Sequence, residues 1–341
     1  FTAEDLGMDL LRPVDSSDLS PLLSFGEEPA VWRALGLAGP PDESAWRSRL
    51  AAASGDVFHR FGSFSEGRLS AFGEIQCNMR ARARHCAWLF LGVSPPGSAR
   101  PLLRHLLAFS DLWLGVARLE CSLDAGDPLE GLLREAGFER ETLKPGHRDG
   151  PRRDVAIYSR LRPGWVPNPP TAAPIFPAAD SRLIPHIRPM TPQDAAGIAT
   201  GMSDERVAWG TLQLPSVTPD YWRPRLEKPS GCMFVAEVDG QVAGTAGFHP
   251  YAAPSAHATG MGMSIHAPWQ GRGLAGPLLE TVLSEAKKQG YQRMDLEVYA
   301  DNERALRLYR RFGFVKEGHK RHDVWRFGGH AGSDVMGQKL G

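Results

Sequence analysis

An internal repeat constrains the fold of this 341-residue chain more than any other feature of its sequence. Residues 188–194 (RPMTPQD) repeat the pattern of residues 12–18 (RPVDSSD), and each opening arginine is followed at the same spacing by a tryptophan, Trp222 or Trp46. Since one domain commonly has about 150 residues, a repeat on this scale predicts two similar domains in tandem.

Later segments of the two halves also correspond. Asp239-Gly240 is a turn signal between apolar strands, and residues 65–75 are its counterpart in the first half. Each half is predicted to form helices, an antiparallel hairpin, and then strand, helix, strand, helix, strand. The predicted fold class is therefore α/β with a mixed, mostly antiparallel sheet flanked by helices, in domains 1–162 and 188–341 joined by a proline-rich linker, 163–187.

Composition excludes several classes of protein. Apolar residues make up 42% and charged residues 23%, and basic and acidic side chains balance at 39 each, which predicts no general attraction for nucleic acid or a membrane surface. Neither a membrane-spanning run nor a signal peptide is visible, so we expect a cytoplasmic protein. The four cysteines lack the spacing of a metal or redox site, which favours free buried thiols and no metal: Cys77, Cys86, Cys121 and Cys232.

A glycine-rich segment in the second half predicts an anion-binding turn. It lies between an alternating apolar segment, 257–265, and a helical pattern, 277–288. Glycines allow a close approach of the backbone to an anion, and the first turn of a helix offers unpaired N–H groups at its positive end. The pattern Gln270-x-x-Gly273-x-Ala275 within this segment resembles the pyrophosphate-binding signature of the GNAT superfamily of acyl-CoA-dependent acetyltransferases. The resemblance implies acetyl-CoA as the cosubstrate.

The same resemblance implies roles for individual residues. Backbone N–H groups from Gly271 to Ala275, which include Gly273 and Leu274, would hold the pyrophosphate, and Arg272 would add positive charge. Met263 and Ile265 would offer backbone groups to the pantetheine arm where two strands splay apart. Asn302 would contact the pantetheine or the strand ends, although an asparagine there is equally suited to cap the next helix.

Candidate catalytic groups follow from the same family. Tyr309 would donate the proton to the departing thiolate; the alternative is an ordinary core tyrosine. Its counterpart in the first half is Leu133, which favours the catalytic role in the second. For the general base, His257 and Glu297 are the candidates, with His249 as a further option, and each of these side chains could instead be structural.

Aromatic side chains mark the predicted acceptor side. Trp209 and Tyr221 lie where the family builds its acceptor lid, and Arg326 or Arg223 would hold a substrate carboxylate. Within the superfamily these stretches are most similar to the bacterial L-amino-acid N-acetyltransferase branch. The alternative is that the aromatic rings belong to the core.

The first half is predicted to be non-catalytic. Its counterpart of the glycine-rich turn, 95–101, is three residues shorter, lacks the glutamine and keeps one glycine, Gly97. The leading hypothesis is a tandem-domain enzyme, monomeric or homodimeric, in which a small-molecule amine such as an amino acid attacks the thioester of acetyl-CoA directly. The alternatives are a non-catalytic acyl-CoA-binding or sensing protein, and a pair of domains that serve as a scaffold.

Overall fold

The computed structural model describes residues 10–51, 57–94, 99–148, 153–169, 181–211 and 214–341. Contacts divide the chain into two units, Phe1–Pro167 with Lys320–Val324 and Asn168–His319 with Trp325–Gly341. Of the predicted linker, 170–180 lies outside the described residues. The predicted fold class is confirmed, because each unit contains a mixed sheet flanked by helices.

The first unit has seven strands in the order β1-β2-β3-β4-β5-β7-β6, in which β4 and β5 are parallel and the other pairs are antiparallel. Its strands are β1 (Leu10–Pro13), β2 (Phe58–Ser65), β3 (Arg68–Cys77), β4 (Cys86–Val93), β5 (Arg118–Asp124), β6 (Glu139–Arg148) and β7 (Arg153–Leu161). Its helices are α1 (Leu19–Gly26), α2 (Pro29–Ala34), α3 (Glu43–Ala51), α4 (Ala99–Phe109) and α5 (Leu129–Glu135).

The second unit repeats this plan with the strand order β8-β9-β10-β11-β12-β14-β13. Its strands are β8 (His186–Pro189), β9 (Cys232–Val238), β10 (Gln241–Pro250), β11 (Ala258–Ile265), β12 (Arg293–Tyr299), β13 (Val315–Arg326) and β14 (Gly329–Lys339), of which the middle of β13 is grouped with the first unit. Its helices are α6 (Ala195–Met202), α7 (Glu205–Trp209), α8 (Pro219–Glu227), α9 (Ala275–Lys288) and α10 (Glu303–Arg311).

Two apolar clusters cover the two faces of the second sheet. Ala243 of β10 packs in the cluster that includes α9 and α10, whereas its neighbour Val242 packs with α6–α8. Since successive strand residues point to opposite faces, α9 and α10 cover one face and α6–α8 the other.

The repeated arginine-to-aspartate motif stabilises a corner in each unit. Arg12 bonds Asp18 at 2.6 Å, and Arg188 bonds Asp194 at 2.8 Å. Each aspartate also completes a capping box at the start of the following helical segment. The hydrogen bonds from arginine lower the pKa of both aspartates. The motif is therefore a folding element common to both units.

Candidate functional site

The central parallel strands of the second unit separate along their length. β11 and β12 pair over only three positions, from Ala258–Arg293 to Gly260–Asp295. Beyond that point the described residues of the two strands form no further pairs, although β11 remains bonded to β10 and β12 to β14. Beyond that point, one edge of each strand therefore faces a gap with its backbone groups.

The same separation occurs in the first unit, but there the open face is filled. β4 and β5 also pair over three positions and stop at Trp88–Glu120. In this register Trp88 and Phe90 correspond to Gly260 and Gly262, and the ring of Phe90 packs into the cluster of α1–α3. Gly262 is exposed, and a Cβ built on it would meet nothing within 4 Å. The sequence carried this signal, since residues 88–90 read WLF and residues 260–262 read GMG.

The predicted phosphate cradle has the backbone that glycine requires. Gly271 and Gly273 adopt φ values of 82° and 87° and are exposed, and α9 begins at Ala275. Leu274 is 1% exposed and packs in the apolar cluster of α9 and α10. Gln270 donates from Nε2 to the carbonyl of Ile265 at 2.9 Å, which anchors the turn to the end of β11.

Two arginines lie beside the cradle, and one of them, Arg272, was predicted from the sequence. The guanidinium of Arg272 lies 5.8 Å from the centre of the Trp269 ring. Arg182 reaches the cradle from the end of the predicted linker: its Cγ lies 3.7 Å from a Cβ built on Gly273. The amide of Leu183 donates to the carbonyl of Arg272 at 2.9 Å and holds this segment in place. No local sequence signal connects Arg182 with the turn.

A buried histidine supports the start of the cradle. His266 follows β11 directly, is 3% exposed, and its Nδ1 lies 2.8 Å from the carbonyl of Val242. Burial lowers the pKa of His266, so the neutral ring donates from Nδ1 to that carbonyl. The ring occupies space left by Gly201, where a built Cβ would lie 2.1 Å from Nδ1.

The predicted pantetheine contacts lie along the gap. Met263 and Ile265 are half-buried on the α9 face, and their strand edge faces the gap. Asn302 accepts from the amide of Ala305 at 3.2 Å through Oδ1 and so caps α10. Its amide nitrogen lies 3.5 Å from a Cβ built on Gly210, at the end of α7.

Tyr309 lies in the core between α10 and the sheet. Its ring is 7% exposed and meets Phe314 edge to face at 5.8 Å. Burial raises the pKa of Tyr309 to about 12. Its hydroxyl has no hydrogen-bond partner among the residues that the structure describes. The phenol is consequently protonated and can donate a hydrogen bond.

The acidic and histidine side chains lie at different distances from the gap. Glu297 is exposed and shares its face of the sheet with Gly262 across the gap. His249 lies over Gly260, with Nε2 2.7 Å from a Cβ built there. His257 precedes β11 at the paired end, about 20 Å along the strand from Met263 at ~3.3 Å per residue. The structure therefore brings Glu297 and His249 to the open face, and it places His257 away from it.

The predicted acceptor residues are mostly engaged with other protein groups. Trp209 is 3% exposed and Arg326 is 1% exposed, and Arg326 forms an ion pair with Asp301. Tyr221 packs under Arg225, whose guanidinium lies 3.7 Å from the ring centre. Arg223, the alternative to Arg326, bonds Asp220 at 3.0 Å. Within 209–215, residues 212–213 lie outside the described residues.

The remaining expectations from the sequence concern a metal site, a membrane span and the first unit. The described residues contain no group of three or more metal-binding side chains, and none of their helices is long and apolar enough to cross a membrane. In the first unit, residues 95–98 of the shortened turn lie outside the described residues, and Leu133 is fully buried.

Comparisons with known proteins identify relatives of part of the chain. The Acetyltransferase (GNAT) family matches residues 201–314. The L-amino acid N-acetyltransferase AaaT of Escherichia coli (strain K12) is 28% identical over 135 residues, which cover 39% of this chain and 83% of that protein. N-acetyltransferase 8B of Homo sapiens is 31% identical over 117 residues, or 33% of this chain; the match spans about half, 52%, of the human protein.

Solved structures of similar fold each cover a little under half of the chain. An acetyltransferase of the GNAT family from Streptococcus pneumoniae is 24% identical with a TM-score of 0.41, and the match covers 46% of this chain and 99% of that one. A phosphinothricin acetyltransferase from Sinorhizobium meliloti, solved in complex with AcCoA, is 17% identical with a TM-score of 0.43 and coverages of 47% and 90%.

Proposed function

We infer that this chain, which belongs to the GNAT acetyltransferase family through residues 201–314, transfers an acetyl group from acetyl-CoA to a primary amine of a small molecule. The observation that carries this proposal is the contrast between the two units. The second unit combines an open gap between β11 and β12 with a glycine cradle, whereas Phe90 fills the corresponding face in the first. We propose that the second unit is catalytic and that the first is not.

The residues at the gap fit the cosubstrate. The N–H groups of the exposed residues Gly271 and Gly273 would bind the pyrophosphate at the positive end of α9, and Arg272 and Arg182 would add charge. The free edge of β11 at Met263 and Ile265 would bond the pantetheine amides. When bound, acetyl-CoA supplies an activated thioester, and an N–H of β11 would polarise its carbonyl.

The reaction forms an N–C bond and breaks a C–S bond, with one proton lost from the amine. Glu297 is the proposed base because it is the exposed carboxylate beside Gly262, and it would take that proton directly or through water. His249 remains the alternative. The base would return this proton to solvent. The departing sulfur would acquire a proton from solvent while Tyr309 donates a hydrogen bond to it.

Burial of Tyr309 refines its proposed role as the acid. A phenol with a pKa of about 12 is a weaker acid than a thiol, whose pKa is ordinarily about 8.5. Complete proton transfer from Tyr309 to the thiolate would therefore be unfavourable by roughly 3.5 pKa units. We propose that Tyr309 stabilises the developing thiolate by donating a hydrogen bond, and that solvent completes its protonation.

The acceptor is proposed to be an amino acid or a related amine. The bacterial relative is named as an L-amino acid N-acetyltransferase, and this chain matches 83% of its length. Trp209 and Tyr221 would shape the acceptor side through packing, since both rings contact other protein groups.

Two measurements test this function. Acetyl-CoA should raise the melting temperature of the wild type and raise that of Gly273→Glu far less, because the variant places bulk and negative charge in the cradle. Release of free thiol from acetyl-CoA should then occur with at least one amine from L-methionine, spermidine and glucosamine. Equal thermal shifts would refute the cradle. A shift without thiol release would favour a non-catalytic acyl-CoA-binding protein.

A further inference from the structure

Arg326 is a fully buried arginine with three partner residues on two separate segments of the second unit, the end of α7 and the end of β12. Its side chain is 0% exposed, and it forms an ion pair with Asp301, just after β12. Its Nη1 donates to the carbonyl of Trp209 at 3.4 Å, at the end of α7. Its guanidinium carbon also lies 4.4 Å from the centre of the Trp209 ring and 4.5 Å from that of Tyr299. Both distances are within cation–π range.

These contacts join the acceptor side to the cofactor side. The hydroxyl of Tyr299 donates to the carbonyl of Thr211 at 3.0 Å, so the segment after α7 is held to the end of β12. Asp301 precedes Asn302, the cap of α10, which is the helix that carries Tyr309. Tyr299 and Glu297 point to the same face of β12. On that face of the sheet, Gly262 of β11 leaves an open position.

The first unit contains a simpler version of the same arrangement. Arg148 on β6 donates to the carbonyl of Arg33 at 3.2 Å and to Asp124, the last residue of β5, at 2.7 Å. In the sequence, Arg33 follows Arg12 at the same spacing as Trp209 follows Arg188. A buried arginine that joins a short helix to the end of the central strand is thus common to both units, and the two aromatic rings belong only to the second.

We propose, on the basis of the function inferred above, that Arg326 is a positioning residue for the amine acceptor. It holds the segment 207–211 against Tyr299 and Asp301, so that the acceptor side keeps a constant place relative to Glu297 and Tyr309. This differs from the carboxylate-binding role expected from the sequence, because the guanidinium is buried and bonded to Asp301. The planar fork is essential, since it stacks and bonds at the same time.

Arg326→Lys tests the proposal, with Arg148→Lys as its matched control. Lysine keeps the charge but cannot stack and bond three groups together. We expect amide hydrogen exchange at 207–211 to become about tenfold faster in Arg326→Lys, through local opening. Exchange at 31–36 should stay unchanged in that variant. Arg148→Lys should show the reverse pattern.

Kinetics separate positioning from a merely structural role. With whichever of the three amines releases thiol fastest, Arg326→Lys should lower kcat/KM for the amine by roughly tenfold or more, since small displacements are costly. The thermal shift by acetyl-CoA should be retained. Unchanged exchange at 207–211, exchange that rises equally throughout the second unit, or an equal loss of acetyl-CoA binding would each overturn the proposal.

A milder variant covers the case in which Arg326→Lys does not fold. Tyr299→Phe keeps the ring and removes the hydroxyl that donates to the Thr211 carbonyl, so the same changes should appear at a few-fold size. If no amine releases thiol in the wild type, the proposed function fails, whereas hydrogen exchange at 207–211 still decides whether Arg326 holds that segment.

Discussion

Gly262 and Phe90 hold the same register position in the two units, two residues beyond the last pair between the central parallel strands. In the first unit a phenyl ring fills that position and packs against α1–α3. In the second unit the position is exposed. One side chain therefore distinguishes a filled face from an open one in two copies of the same fold.

Gly262→Phe should convert the second unit to the filled state. Turnover should fall by about 100-fold or more because the ring would exclude the amine, whereas the thermal shift by acetyl-CoA should persist. Gly262→Ala is the control: its Cβ would meet nothing within 4 Å, so most activity should remain. Full turnover by the phenylalanine variant, measured as thiol release, would exclude this face as the acceptor site.

Tyr309→Phe should lower kcat by roughly 10²-fold, the lower end of what one hydrogen-bond donor to a developing negative charge contributes, and leave acetyl-CoA binding nearly intact. Because the pKa of Tyr309 is about 12, its ionisation should not shape the pH–rate profile between pH 6 and roughly 10. Tyr158→Phe, at a buried tyrosine of the first unit, is the matched control and should leave kcat unchanged. Equal rates for wild type and Tyr309→Phe would remove Tyr309 from the reaction.

Arg182→Ala should weaken acetyl-CoA binding about three- to tenfold, since it removes one exposed charge beside the proposed phosphate site. The loss should shrink as salt rises, because exposed charges are screened. Calorimetric titration at low and high ionic strength measures both effects. Arg47→Ala removes an exposed arginine of the first unit as a control. Identical affinities of the two variants would place Arg182 outside the cosubstrate site.

The stability of the second unit should decrease as pH falls below about 6.5, the ordinary pKa of histidine. Burial lowers the pKa of His266 in the folded state, so the unfolded chain binds a proton that the folded chain does not. The nearby charge of Asp204 opposes this shift but does not reverse it. Stability linked to His266 is thus complete above the unfolded pKa and declines towards the folded pKa.

Urea unfolding at pH 8 and pH 5.5 measures this dependence. His266→Phe cannot titrate, so the difference in unfolding free energy between the two pH values should be smaller than in the wild type. The variant should also be less stable at pH 8, because it loses the bond to Val242. An undiminished difference would show that other groups cause the acid sensitivity.

Much of this architecture followed from local sequence patterns. The strand before the glycine turn, the turn itself and the helix after it were predicted in the right order, because positive φ at Gly271 and Gly273 and the apolar periodicity of α9 are local properties. The predicted fold class, a mixed sheet flanked by helices, is confirmed in each unit. The roles assigned to Tyr309 and Glu297 remain predictions.

Only the tertiary structure decided which groups meet. Arg326 and Trp209 lie 117 residues apart in the sequence. Arg182, at the end of the predicted linker, reaches Gly273 in the turn before α9. A guanidinium has the same chemistry in a binding pocket and in a buried ion pair, so its role depends on burial and partners that the register of distant strands creates. The sequence by itself determined two copies of one fold and a cradle in the second. The register of β11 with β12 decided that position 262 lies on the open face of the sheet, because register places a side chain on one face or the other. At the corresponding position of the first unit, the ring of Phe90 fills that face.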